Sequence, residues 1–526
     1  MTDRFPLIAP LKYSAFAVLW VGVAAAFLSQ WMLPVTAQWF LLSLPGAAPL
    51  VPLVQVAISL PMALIAIPAG VLADAVDRRL LVIVVQSGAL AAECALVALT
   101  VTGRLTPGIM LVLLAALACS IVLTYTPFNS MIPDIVPRES ISSATALLAI
   151  ATNATRIIGP AVAGVVITVG GVAAGFSAAI PPTLLLLVSM LRWRGKRTHA
   201  TSRERFMPAV WSGLRFVRHS PQALKITVRG LWFTTGVIGL FSLLPLIAKD
   251  LGAGSAGLGF LFAAQGIGAV LGALTIPYLR RRISANALVA LGFAAASLGL
   301  LVAALTANLL VIGVANVLAG WAWTSALATL QAGMQLYLPA WVRARGIAAL
   351  LVATYGGQAL GSFVLGLIAT RTSAPIGLVV GAFILAAGAA LAVWWPLKDL
   401  DDLDRSTVRG WTSPELLVDP QEIGGEVQVR VSYTVDDRHL DRFLEVMHLM
   451  RRVRLRNGAT RWQLLRHAEV EGRYIEEFMV GSWGEYEQQM VERLIESDRV
   501  LAEGAAALSS TPVENHYLIQ LETYRA

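Results

Sequence analysis

Two ionisable side chains stand alone inside long apolar runs and are the first candidates for chemistry. Glu93 is the only acidic residue of the first 400 that lies well inside such a run, and Arg156 is the only basic residue similarly deep. A charge in apolar surroundings is costly and is usually kept for a function. Glu93 is therefore a candidate for proton coupling, with Arg156 as its counter-charge or as the partner of an anionic ligand. The alternative for Glu93 is a structural hydrogen bond to a neighbouring helix.

Uncharged polar residues inside the apolar runs form a second group of candidates. A buried amide either binds a ligand or bonds a neighbouring helix, a bond worth around 1 kcal/mol. We favour Gln30, Gln38 and Gln265 as cavity residues, with aromatic surface from Trp31 and Trp39. Such a lining would suit a bulky amphipathic small molecule.

The elements that carry these residues are membrane-spanning helices. Of the 526 residues, 57% are hydrophobic and only 14% are charged, against about a quarter charged in a soluble domain. Residues 1–400 carry 25 Lys and Arg against 9 Asp and Glu, whereas residues 401–526 carry 15 against 23. The first part is thus a lipid-embedded region and the second an acidic soluble domain. Because the basic residues lie in short loops between apolar runs, we expect no nucleic-acid partner.

Twelve apolar runs are long enough to cross a bilayer core, which needs roughly 20 residues per helix. They are residues 14–42, 50–73, 80–101, 108–127, 142–168, 173–191, 225–247, 257–277, 284–305, 309–330, 346–369 and 375–396. A polar segment at 192–222 divides them six and six, into bundles at 1–191 and 223–398. Two six-helix halves predict an all-α membrane fold with a binding site near the midplane between them.

Basic residues cluster in alternate loops and predict the orientation. With the N-terminus in the cytoplasm, the outside loops contain only Arg104, Lys249 and Arg371 as basic residues. We therefore expect a multi-pass protein with both termini cytoplasmic. The two cysteines, Cys94 and Cys119, lie in apolar runs and predict neither a disulfide framework nor a zinc site.

The loop after the second run contains Gly70 and Asp74, followed by Arg78 and Arg79. This spacing resembles a signature of the major facilitator superfamily. The glycine would permit close helix packing, and the acid would pair with a cation of the facing half as the transporter opens and closes. A simpler interpretation is a positively charged loop that only sets topology.

The fifth run resembles the helix-5 motif of facilitator-type antiporters. It contains Asn153, Arg156, Gly159 and Pro160, with Ala163 where that motif has its first late glycine. The resemblance implies a kinked helix packed against the other half, and it favours export over uptake.

Nearly the whole chain resembles one bacterial branch of this superfamily, permeases similar to the enterobactin exporter that are called transmembrane secretion effectors. The resemblance rests on Gln38-Trp39, Pro61, Pro68, Asn153 to Pro160, Leu338 to Gly346, Arg451-Arg452, Asn457 to Ala459, Trp462, Gly472 to Tyr474, Glu477 and Ser482-Trp483. It implies a twelve-helix major facilitator fold in the bacterial inner membrane and no enzymatic activity. It also implies proton-driven efflux of a small amphipathic or siderophore-like compound. The implied partners are the substrate, protons and the lipid bilayer, without a cofactor.

After a linker at 399–425, residues 426–526 predict a small α+β domain. Alternating Val427, Val429 and Val431 indicate a half-buried strand, and the element order β-α-β-β-α-β is ferredoxin-like. The histidines show no metal-ligand spacing, so we expect a regulatory or dimerising module without a metal. Two alternatives remain: an enzyme or sensor tethered to the membrane and acting through this domain, and a permease that flips lipids or lysophospholipids.

Overall fold

The computed structural model of the chain describes residues 6–193, 215–397, 414, 416, 425–494 and 496–520. Its contacts divide the chain into two compact units. The first contains most of the membrane region. The second combines the described residues of the tail with those of 205–226 and 333–349. Within the predicted loop at 192–222, residues 215–219 are helical.

The described part of the membrane region is helical because its sequence consists of long apolar runs separated by short loops. The helices are α1 (Ser14–Ser43), α2 (Val51–Ala75), α3 (Arg78–Val101), α4 (Pro107–Ile135), α5 (Ile141–Ser177), α6 (Ile180–Arg192), α7 (Pro221–Val237), α8 (Gly239–Asp250), α9 (Gly254–Leu279), α10 (Ala285–Leu305), α11 (Leu309–Tyr337), α12 (Ala340–Arg371) and α13 (Ala374–Trp394).

Eleven helical stretches of the described chain are long and apolar enough to cross a membrane. One of them, Arg138–Arg192, runs for 55 residues, or about 80 Å at 1.5 Å per residue. That is more than twice the roughly 30 Å of a bilayer core. Gly171 interrupts this stretch with a φ of 74°, a left-handed conformation that glycine adopts readily. The predicted count of twelve therefore requires counting this stretch twice.

The two halves of the membrane region meet tightly where α1 ends and α9 begins. A Cβ atom on Gly164 of α5 would lie 2.8 Å from the carbonyl oxygen of Ser255. The hydroxyls of Thr168 and Ser255 are 2.7 Å apart, and Lys249 Nζ donates to the carbonyl oxygen of Leu42 at 3.1 Å. Contacts between the halves thus close this end of the bundle.

The tail folds as one antiparallel sheet with helices against it. Its elements are β1 (Val427–Thr434), α14 (Leu440–Asn457), β2 (Arg461–Arg466), β3 (Arg473–Val480), α15 (Trp483–Gln488), α16 (Glu496–Ala507) and β4 (Glu514–Ile519). The strand order is β2-β3-β1-β4, and every pair of neighbours is antiparallel. A core of alternate strand residues and α14 side chains, including Val429, Phe443 and Phe478, holds it together.

A buried ion pair lies within this tail core. The carboxylate of Glu476 is fully buried and accepts hydrogen bonds from Arg454 Nε at 3.0 Å, Trp462 Nε1 at 2.9 Å and the Tyr433 hydroxyl at 3.3 Å. Burial opposes the charge on Arg454, but the neighbouring carboxylate outweighs it and raises the pKa of the guanidinium. Burial and the same carboxylate raise the pKa of Tyr433.

Candidate functional site

A cavity of about 250 Å³ lies between the two halves of the membrane region. Its walls come from α1 to α6 of the first half and from α8, α9, α11 and α12 of the second. The predicted residues Gln30, Gln38, Glu93, Arg156 and Gln265 all line it. Residues that are far apart in sequence therefore share one cavity.

Glu93, on α3, is held by helices on two sides. Its side chain is buried, and its Oε1 accepts hydrogen bonds from the Ser29 hydroxyl of α1 at 2.9 Å and the Thr183 hydroxyl of α6 at 2.8 Å. Its Oε2 is buried and has no hydrogen-bond partner. The carboxyl group is thus anchored through one oxygen, while the other is available to a proton or a ligand.

Arg156, on α5, lies among three aromatic rings. Its guanidinium carbon is 5.5 Å from the ring centroid of Trp31, 5.8 Å from that of Phe241 and 4.8 Å from that of Trp323. Trp31 belongs to the first half and the other two rings to the second, so Arg156 sits where the halves meet. Its Nη2 is buried without a hydrogen-bond partner. Both Arg156 and Glu93 are described, and no ion pair joins them, so the proposed counter-charge pairing is not formed.

Two glutamines of the cavity also carry buried polar atoms that have no hydrogen-bond partner. Gln38 Nε2 donates to the carbonyl oxygen of Phe241 at 2.8 Å, a bond between the two halves. Gln38 Oε1 and Gln265 Nε2 are buried and unpartnered. Trp39, in contrast, packs against an apolar cluster and is not among the residues that line the cavity. Its predicted place in the cavity is therefore not observed.

The helix-5 motif acts through close packing. A Cβ atom on Gly159 would lie 2.5 Å from Cβ of Trp31, so only glycine allows α1 and α5 to approach this closely. Pro160 lines the cavity. Asn153 Nδ2 donates to the Ala149 carbonyl of its own helix at 2.8 Å and is not part of the lining.

The basic residues of the loop signature tie helices of the first half together. Arg79 donates from Nε and Nη2 to two carbonyls at the end of α6, each at 3.0 Å. Arg78 lies 3.8 Å from the carboxylate of Asp134 on α4. Gly70 and Asp74 belong to the last turns of α2, but their side chains are outside the described part of the chain. The gating role of Asp74 stays a prediction.

Sequence reasoning missed the residues that surround the two charges. Ser29 and Thr183, which hold Glu93, and Phe241 and Trp323, which surround Arg156, were not singled out. The helices of Ser29 and Trp323 lack an apolar–polar periodicity, so the sequence does not indicate which of their faces meets the cavity. The one available signal was the presence of large aromatic residues within runs of the second half.

Two helical halves around a largely apolar cavity with a few buried polar groups have the architecture of a membrane transporter of the major facilitator type. The chain belongs to the transmembrane secretion effector family, which matches residues 6–524.

Curated relatives match a smaller part of the chain. The enterobactin exporter EntS of Shigella boydii serotype 18 is 30% identical over 147 residues, which cover 27% of this chain and 34% of that protein. EntS of Escherichia coli O1:K1 / APEC is 29% identical over 147 residues, with the same coverage. The matched segment thus spans about a third of the length of these relatives.

Solved transporter structures share the fold. A POT family transporter in complex with 5-aminolevulinic acid superposes with a TM-score of 0.60 at 11% identity, covering 72% of this chain and 96% of that one. A bacterial homologue of the human lysosomal transporter Spinster gives 0.56 at 15% identity, covering 74% and 96%. At these identities the likeness concerns the fold alone.

Proposed function

We propose that the protein exports a small amphipathic compound in exchange for protons. The observation that carries this proposal is Glu93, a buried acid on the cavity lining with one oxygen anchored and the other unpartnered. Contacts between the halves join them at one end of the bundle. Alternate closure of the two ends would present this carboxyl group to the two sides of the membrane in turn.

Several features support export from a bacterial cell. The close packing of Gly164 on α5 against Ser255 of the other half supports an antiporter-like helix 5. The partial match to an enterobactin exporter supports a siderophore-like cargo. The distribution of Lys and Arg among the loops supports an inner-membrane protein with both termini in the cytoplasm.

The direction of transport is tested with membrane vesicles of opposite orientation. Everted vesicles that contain the protein should accumulate labelled enterobactin when respiration acidifies their interior. Accumulation should stop when an ionophore collapses the pH gradient, and empty-vector vesicles should show none. Accumulation in right-side-out vesicles with an acidic exterior would contradict export, and accumulation that survives the ionophore would contradict proton coupling.

We also propose that the tail is a ferredoxin-like regulatory domain. Its strand order, β4-β1-β3-β2 when read from the other edge, supports this fold. Within the second compact unit, Arg215 Nη1 donates to the carbonyl oxygen of Gly458 at 3.0 Å. A cation is favourable at this end of α14 because helix carbonyls point toward it. Arg456 of the same helix lies 5.7 Å from the ring of the buried Phe216.

The segment that contacts the tail leads directly into the second half of the transporter. Residues 215–219 precede α7 in the chain, and Ser220 is hydrogen-bonded to Tyr337, the last residue of α11, at 2.6 Å. A conformational change of the tail would therefore be transmitted to α7 and α11.

A matched pair of arginines tests this regulatory role. Arg215→Ala should change the maximal transport rate without changing cargo affinity, because it breaks the contact with α14 and leaves the cavity intact. Arg218→Ala, which removes an exposed arginine of the same segment, should behave as wild type. Identical rates for wild type and both variants would contradict regulation through this contact.

A further inference from the structure

We propose that the cavity binds an aromatic organic anion and that Arg156 holds its acidic group. This inference rests on the transport function proposed above and names the class of substrate.

The first argument is the unbalanced charge of Arg156. Its guanidinium lies in the membrane region and its buried Nη2 has no acceptor. Among the described residues that line the cavity, Glu93 is the only carboxylate, and its anchored oxygen is bonded to Ser29 and Thr183. An unneutralised cation in a bilayer interior costs several kcal/mol. A ligand that brings a negative group to Nη2 would supply the missing counter-charge.

The second argument combines the shape of the guanidinium with a second unpartnered donor on the cavity lining, Gln265 Nε2. A guanidinium is planar and its N–H groups match the two oxygens of a carboxylate or a similar planar anion. Gln265 Nε2, which belongs to the other half, is a second buried donor without an acceptor. These two donors fit an oxygen anion, while the unpartnered acceptors of the same cavity, Gln38 Oε1 and Glu93 Oε2, are left to a proton or to a donor group elsewhere on the ligand.

The third argument is the aromatic surface that adjoins Arg156. Phe241 forms a T-shaped contact with Trp323 at 5.3 Å and stacks on Phe262 at 5.7 Å, while Trp31 lies 6.4 Å from Phe241. Flat aromatic groups pack well on such surfaces, and the ring pairs add stabilisation beyond the area they bury. A ring attached to the acidic group would therefore contact both halves of the transporter at once.

The test compares two probes that share the naphthalene ring and carry an anionic or a neutral oxygen group. Purified full-length protein is titrated by calorimetry with 2-naphthoate and with the neutral 2-naphthalenemethanol. We expect the anion to bind at least tenfold more tightly than the alcohol. In Arg156→Gln the affinity for the anion should fall at least tenfold, while the affinity for the alcohol stays the same. Arg156→Lys keeps the charge but loses the planar guanidinium, so its affinity for the anion should lie between those of wild type and Arg156→Gln.

Three results would overturn the inference. They are equal binding of the two probes, binding of neither at millimolar concentration, and a loss of both probes together in Arg156→Gln. The last result would mean that Arg156 supports the packing of the three rings. The unchanged affinity for the alcohol is therefore also the evidence that the variant is folded.

Failure of this inference can be distinguished from failure of the proposed function. Calorimetry is done at equilibrium without a gradient, so it depends neither on the direction of transport nor on protons. Anion binding without gradient-driven export would contradict the transport proposal alone. Export of enterobactin by a protein that binds both naphthalene probes equally would contradict only the assignment of the anion to Arg156.

Discussion

Alanine at Gly164 should hinder closure of the two halves against each other. Its Cβ would lie 2.8 Å from the carbonyl oxygen of Ser255 and 3.0 Å from Cα of Gly259, whereas ordinary contacts begin at 3.4 Å. The backbones of α5 and α9 would have to separate by roughly half an ångström. Overpacking of this kind costs about 1–3 kcal/mol. The closed arrangement should then be populated about 5- to 150-fold less relative to the open one.

Disulfide formation between the halves measures this population. The hydroxyls of Thr168 and Ser255 are 2.7 Å apart, so cysteines at these positions should cross-link under mild oxidation once the two native cysteines are replaced by alanine. Gly164→Ala should slow the cross-linking by the factor given above. Gly88→Ala is the matched control, because a Cβ atom there meets nothing within 4 Å.

Equal cross-linking rates for the two glycine variants would refute this reasoning. The reactivity of Lys249 Nζ toward an amine reagent, read by peptide mass spectrometry, separates closure from local distortion, since this amine donates to the carbonyl oxygen of Leu42 in the first half at the same end. Gly164→Ala should raise this reactivity as well as slow the cross-linking. Slower cross-linking with unchanged reactivity of Lys249 would mean that the alanine disturbs its neighbours without opening the end.

Three other changes have defined outcomes. Glu476→Ala leaves Arg454 buried without its carboxylate, at a cost of about 3–5 kcal/mol, so hydrogen exchange of the tail strands in the full chain should accelerate at least ~100-fold; unchanged exchange contradicts this. Because burial and Glu476 raise the pKa of Tyr433, the contribution of this group to the stability of the tail should be complete below about pH 10 and decrease at higher pH. A calorimetric melting temperature that does not decrease from pH 9 to pH 11 opposes this. Arg229 is buried and donates to Asn286 and to a carbonyl near the end of α13, so Arg229→Met should lower the melting temperature of the detergent-solubilised chain, unlike Arg104→Met in an exposed turn.

The membrane region and the tail could be predicted because their signals are local. Apolar runs of about 20 residues indicate spans, and the alternation of Val427, Val429 and Val431 indicates the strand that the structure contains. Glu93 and Arg156 could be found for a similar reason, since a lone charge in an apolar run is conspicuous. Both indeed line the cavity.

The environment of those charges could not be predicted, because it depends on packing between distant helices. Phe241 and Trp323 come from different helices of the second half, and their rings meet Arg156 only in the folded protein. Likewise, the sequence of α1 has no amphipathic periodicity, and each tryptophan follows a glutamine, so it does not distinguish Trp31, which lines the cavity, from Trp39, which does not.

Gradient-driven accumulation in proteoliposomes tests the central claim, proton coupling through Glu93, most directly. A pH difference of one unit supplies 1.36 kcal/mol per proton, which supports about a tenfold accumulation of cargo for each proton exchanged. Wild type and Glu139→Gln, which alters an exposed acid, should accumulate labelled enterobactin to this extent. Glu93→Gln should only equilibrate it, while still exchanging labelled for unlabelled cargo. Accumulation by Glu93→Gln equal to that of wild type would contradict the account.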